Sequence, residues 1–229
     1  MQASLMSIAL LGKAVFTGLV MLTASVAQGA VIDGTIYRTG GLAAGSNAPW
    51  YYGGPDVETT VDRHYFTVNS ASVVTFDILS WEGSVDFSAG SPPTDVNGDS
   101  EIAFLDTMIR LYNADTNAFI DVSDDSGTTF GDGSIFDRDS FLSLALGIGN
   151  YFLAVGTWDL TDAEVFTGPG SGSGPMTWNG STYVVNDHGD YRLSITGDVS
   201  VPEPSTLAVI GMALLSLFGF GMMRRRADA

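Results

Sequence analysis

The chain has 229 residues, with 26 Asp and Glu against nine Lys and Arg, and a formal charge of −17. Such a surface repels nucleic acid and anionic lipid, so no nucleic-acid partner is expected. There is no cysteine, which excludes disulfides, thiolate catalysis and structural zinc held by cysteines. In chain order, residues 1–30 read first as a secretory signal peptide. Lys13 precedes the apolar run AVFTGLVMLTASV, and the small residues Ala27, Gly29 and Ala30 suit cleavage. A membrane anchor, the other reading of this stretch, needs a longer apolar run. Residues 31–200 follow as one domain, long enough to bury its own core. Residues 31–202 hold 24 acidic residues, five arginines and no lysine, a formal charge of −19. That excess attracts divalent cations, and it also simply favours solubility.

Within this domain the pattern is all-β, with short alternating runs between Gly-rich turns. Residues 31–37 and 64–68 are strand candidates. VVTFDIL (73–79) places Val74, Phe76 and Ile78 on one face. SFLSLAL (140–146) does the same with Leu142, Leu144 and Leu146. YFLAVGT (151–157) follows a turn at 147–150, and DYRLSITG (190–197) alternates Tyr191, Leu193 and Ile195 against polar neighbours. Residues 39–57, with Trp50, Tyr51 and Tyr52, read as a loop. TGPGSGSGP (167–175) reads as a flexible excursion. No stretch shows a sustained helical period. The expectation is an antiparallel, jelly-roll-like β-sandwich.

DVNGDSEIAFLD (95–106) carries oxygen-bearing side chains at positions one, three, five, seven and twelve. That is near the ligand spacing of a calcium loop. It is not an EF-hand: Ser100 stands where such a loop needs glycine, Asp106 replaces the longer glutamate, and the flanks are not helical. The expected calcium ligands are Asp95, Asn97, Asp99 and Asp106, with Glu101 contributing its carbonyl. A solvated acidic turn is the other reading. DTMIRLYNADTNAFIDVSDDSG (106–127) reads as a hairpin. Pairing Ile109 with Val122, Arg110 with Asp121, Leu111 with Ile120 and Tyr112 with Phe119 gives one apolar side and a cross-strand ion pair. The same register brings Asp124 and Asp125 to Asp106, where they are expected to complete the cation shell.

The hairpin, then DSFLSLALGIGNYFLAVG (139–156) and GDYRLSITG (189–197), resemble the bacterial pre-peptidase C-terminal type of β-sandwich over residues 60–197. That resemblance implies a domain accompanying secreted or surface proteins, usually non-catalytic and in some members calcium-binding. The insert before Asp106 and the long 157–188 segment depart from it.

Catalytic motifs are missing. His64 and His188 are expected as surface or edge residues. There is no G-x-S-x-G elbow and no phosphate-binding loop. Acidic pairs are abundant, so a carboxylate-based glycoside hydrolase is a third reading, behind two others. The first is a non-enzymatic surface or matrix protein. The second is a carbohydrate-binding module for exopolysaccharide, using Trp50, Tyr51, Tyr52, Trp81, Trp158 or Trp178 as stacking platforms.

The tail, residues 201–229, begins Val201-Pro202-Glu203-Pro204. Residues 205–223 then carry no charge, and Arg224, Arg225 and Arg226 follow. As a helix at about 1.5 Å per residue, the uncharged run spans roughly 28 Å, close to a bilayer core. The arginines favour the cytoplasmic side. These three parts resemble the PEP-CTERM sorting signal of Gram-negative bacteria. The resemblance implies recognition by an exosortase, a membrane-embedded protease, with transient anchoring through the helix, removal of the tail and release to the cell surface. A permanent anchor is the alternative.

Overall fold

A computed structural model describes residues 29–46, 57–80, 95–103, 105–124, 139–172 and 174–202. Residues 1–28 of the expected signal peptide, Trp50, Tyr51, Tyr52, Trp81, Asp125, Glu203, Pro204, the uncharged run at 205–223 and Arg224–Arg226 lie outside the described residues.

Alternating side chains build two facing sheets. One runs β7 (Phe141–Leu146), β4 (Ser72–Leu79), β12 (His188–Thr196), β1 (Ala30–Gly41), β2 (Val57–Thr59) and β9 (Gly170–Gly172). The other runs β13 (Val199–Ser200), β3 (Asp62–Val68), β8 (Gly149–Thr157), β5 (Thr107–Asn113) and β6 (Phe119–Ser123). A ribbon of β10 (Met176–Trp178) and β11 (Tyr183–Val185) completes the described strands. Their pairings are antiparallel.

The core lies between the two large sheets. Val74, Phe76 and Ile78 of β4 and Tyr191, Leu193 and Ile195 of β12 enter from one side. Phe66, Val68, Ile109, Leu111, Leu153 and Val155 enter from the other. Each fully buried aliphatic or Phe side chain stabilises the fold by about 1.5–3 kcal/mol. The two-residue period of 73–79 and 190–197 is thus realised as one buried face per strand. The chain is an antiparallel β-sandwich.

β8 departs from that period, because Tyr151–Thr157 is buried throughout. Its outer face is covered by helix α1 (Asp162–Thr167) and by a second cluster of Tyr112, Phe152, Ala154, Leu160 and Val165. Tyr112 stacks on Phe152 with ring centroids 4.9 Å apart. The helix is a short addition to an otherwise all-β pattern. It is only six residues long, too short for a helical period to show. Its sequence mark is a capping box: Thr161 accepts from the Glu164 amide at 3.3 Å, and Glu164 accepts from the Thr161 amide at 2.7 Å. At the far end Arg63 donates to the Val165 carbonyl. Thr161→Ala is expected to lower stability by about 1 kcal/mol in urea unfolding, the usual cost of losing an N-cap.

Two expectations fail. Residues 170–172 are not a free excursion but strand β9, paired with β2 through Val57–Gly172, Glu58–Ser171 and Thr59–Gly170. The hairpin register holds only at Tyr112–Phe119. Beyond it a bulge shifts the pairing by one, so Arg110 faces Val122, Leu111 faces Asp121 and Ile109 faces Ser123. Ile120 still packs against the main core. Freed from Asp121, Arg110 turns to the helix and meets Asp162 at 2.5 Å. Tyr112 donates to the same Asp162 oxygen at 2.6 Å. The helix therefore offers the carboxylate that the hairpin was expected to supply.

Candidate metal centre

The stretch 95–103 forms a tight loop fixed by its own carboxylates. Asp95 accepts from the amides of Gly98 at 2.6 Å and Ser100 at 2.8 Å. Asn97 accepts from Asp99 at 3.1 Å, and Asp99 accepts from Glu101 at 2.8 Å. Ser100 takes the left-handed φ of 77° that a glycine would adopt easily. The Glu101 amide, then the Asn97 side chain, hold the Asp99 carboxyl below the usual carboxylate range.

The loop then lies along the start of β12. The Asp190 amide donates to the Ala103 carbonyl at 3.1 Å. Thr177 of β10 donates to the Ile102 carbonyl at 2.7 Å. Buried Ser80 donates to the Asp190 carbonyl at 2.6 Å and accepts from the Leu105 amide at 3.0 Å. These bonds bring Asp99 and Glu101 against His188 and Asp190. Positions 188 and 190 are two apart on a strand, so they share a face.

Asp99, His188 and Asp190 present one ligand atom each, all within 4.8 Å of one another. Among the described residues they are the one such group of three or more His, Asp or Glu. Glu101 Oε2 lies 3.1 Å from His188 Nε2, and Asp190 Oδ2 lies 3.7 Å from the same nitrogen. On the other side of the ring, His188 Nδ1 sits 2.8 Å from Asp187 Oδ1. Asp190 is 1% exposed. Its Oδ1 accepts from Thr35 at 2.7 Å, while its Oδ2 has no hydrogen-bond partner. Burial raises the Asp190 carboxyl above its ordinary value. The hydrogen bond from His188 lowers that of Asp187.

The expected ligand set is thus divided. Asp99 belongs to the group, and Glu101 meets His188 at 3.1 Å through its side chain rather than through the carbonyl expected of it. Asp95 and Asn97 fold the loop that presents them. Asp106 is buried elsewhere, 6% exposed, with its carbonyl accepting from the Trp158 amide at 2.8 Å. The Asp124 carbonyl accepts from Ser140 at 2.7 Å. Ser140 is itself buried and also bonds the Thr107 carbonyl at 2.7 Å. Composition and loop spacing missed His188 and Asp190. The signal was present in Asp187-His188-Gly189-Asp190, an imidazole flanked by carboxylates at strand spacing.

Comparison with known proteins gives two findings. Residues 200–226 match the PEP-CTERM protein-sorting motif. The motif implies an exported protein sorted by an exosortase. The fold is similar to the pre-peptidase C-terminal domain of a collagenase from Bacillus anthracis, at 14% identity and a TM-score of 0.34, over 73% of this chain and 88% of that one. No curated protein shows significant similarity to the chain. No helix among the described residues is long and apolar enough to cross a membrane.

Proposed function

We propose that the chain is a non-enzymatic cell-surface or extracellular-matrix protein, delivered by its C-terminal signal and acting through its β-sandwich. The sorting motif carries this reading. Its position suits processing. The last strand ends at Ser200, and Val201 still packs against the main core. A cut after Pro204 therefore removes no residue that the described core uses. The uncharged run at 205–223 parks the Pro-Glu-Pro segment at the membrane surface, and Arg224–Arg226 hold the far end on the cytoplasmic side. The mature protein is expected to end between Pro202 and Ser205 and to lack residues 206–229. Glu203→Ala is expected to leave full-length precursor in the inner membrane. Intact-mass measurement of protein from the native cell surface decides this: a product still carrying Arg224–Arg226 refutes processing.

Binding of extracellular polysaccharide is the second reading. Among the described residues, the rings that favour it lie on the outer face of the five-stranded sheet. Tyr65, Phe119 and Phe166 are each more than a third exposed. They surround Tyr112 and Phe152, with Arg63 and Arg110 over the rings. Affinity electrophoresis through the native exopolysaccharide tests it. Retardation of wild type, lost in Tyr65→Ala and Phe166→Ala, supports binding; equal mobility with and without polysaccharide excludes it.

A further inference from the structure

We propose that His188, Asp190, Asp99 and Glu101 form a mixed nitrogen–oxygen site for a divalent transition-metal ion, distinct in donor set from a calcium loop.

The His188 imidazole has a carboxylate against each of its ring nitrogens. Nδ1 faces Asp187 Oδ1 at 2.8 Å, a carboxylate that can only accept when ionised. The ring therefore places its N–H on Nδ1, which leaves Nε2 with a lone pair. Yet Nε2 faces carboxylate oxygens too, Glu101 at 3.1 Å and Asp190 at 3.7 Å. A lone pair surrounded by anionic oxygens is repulsive. Either a second ring proton or a metal cation at Nε2 removes the conflict.

Asp190 favours the metal. A proton on Nε2 is satisfied by Glu101 alone, and 3.7 Å is too long for a hydrogen bond to Asp190. That leaves Asp190 Oδ2 buried without a partner, 1% exposed and aimed at the same point. An orphaned buried carboxylate oxygen is costly. An ion held between Nε2, Asp190 Oδ2, Asp99 and Glu101 satisfies all four groups at once. The second sphere also fits. Metal-bound histidines commonly donate their other N–H to a carboxylate, which is the place of Asp187. Thr35 holds the remaining oxygen of Asp190 at 2.7 Å.

The donor set selects the ion. Calcium prefers six to eight oxygens, whereas imidazole suits zinc and its neighbours in the first transition row. One nitrogen and three carboxylates make a four-ligand shell for zinc. Asp99 and Glu101 stand on an exposed loop already folded by Asp95 and Asn97, so that loop forms the solvent side of the site.

The test is isothermal titration of the purified full-length chain, stripped with chelator, using Zn²⁺ and Ca²⁺ separately. Zinc is expected to bind with one site per chain and at least tenfold more tightly than calcium. Asp99→Ala, in the exposed loop, should weaken zinc by tenfold or more. Asp187→Asn should weaken it by about 10–100-fold, the usual effect of removing an outer-sphere partner. His188→Gln should abolish binding, with near-UV circular dichroism confirming the fold. Nitrogen-15 NMR adds a readout independent of affinity: Nε2 should carry no proton once zinc is present. The proposal is overturned by absence of saturable zinc binding, by calcium binding the more tightly, by unchanged affinity in Asp99→Ala, or by a proton retained on Nε2 with zinc in excess.

Discussion

Gly34→Ala is expected to cost on the order of 3 kcal/mol, the upper part of the usual overpacking range. Gly34 in β1 pairs directly with Tyr191 in β12. The tyrosine ring lies across the bare backbone of the glycine. A Cβ built at Gly34 falls 2.6 Å from Tyr191 Cε1 and closer still to Cζ and Oη. Overlap of this kind is cheap when the neighbour is a mobile side-chain end. Here it is not. Tyr191 is 0% exposed, and its hydroxyl is held by Asp62 at 2.7 Å and His64 at 2.6 Å. Moving the ring breaks both bonds and opens the core between the sheets. Domains are stable by only about 5–15 kcal/mol, so the loss is a large fraction of the total. Gly147→Ala is the control, because a Cβ there meets nothing within 4 Å. Its effect is expected within about 1 kcal/mol of wild type. Urea unfolding of both variants measures the contrast. Equal midpoints mean that Tyr191 yields freely and that the packing argument is wrong.

The same pairing shows what the sequence made legible. Alternation at 73–79 and 190–197 revealed which side chains enter the core, because a strand's period is two and one face is buried. The hairpin revealed its loop and its first pair, Tyr112–Phe119, for the same reason. The bulge at Ile120 was not legible. A single register that paired Arg110 with Asp121 made every cross-strand pair plausible, and Asp162, the partner that Arg110 takes, lies 52 residues away in sequence. β9 was hidden because Gly-Ser-Gly has no side-chain pattern to read. The helix was legible only as Thr161-x-x-Glu164, a local capping signal rather than a periodic one. In the candidate metal centre, loop spacing pointed to Asp99 and to the Glu101 carbonyl, whereas it is the Glu101 side chain that meets His188. His188 and Asp190 come from a strand near the other end of the domain. Only sheet pairing sets that meeting, so composition and spacing could not supply it.

Replacing His64 by Gln is expected to remove an acid-sensitive part of the stability. His64, Tyr191 and Asp62 form a chain. Tyr191 donates its one proton to Asp62 Oδ2, so its oxygen must accept from His64 Nε2. That assignment makes His64 the neutral Nε2–H tautomer in the folded state. Burial lowers the His64 pKa below its ordinary value, and the Asp62 carboxylate offsets this only in part. The sign follows from which state binds protons. Above the unfolded histidine pKa, about 6.5, both states are neutral and the full stability is present. As pH falls below that value the unfolded chain takes up a proton that the folded chain resists. Stability then drops, at a rate of up to about 1.4 kcal/mol per pH unit, until pH reaches the lowered folded value. Glutamine has no such titration, but its amide can still donate to Tyr191. Wild type is therefore expected to lose more stability than His64→Gln between about pH 6.5 and 5. Urea midpoints taken in half-unit steps across that range measure the difference. The other ionisable groups are the same in both proteins, so their contributions cancel in it. Parallel curves for wild type and His64→Gln would mean that the folded state accepts the proton freely. The chain from His64 through Tyr191 to Asp62 would then have to reorganise without cost.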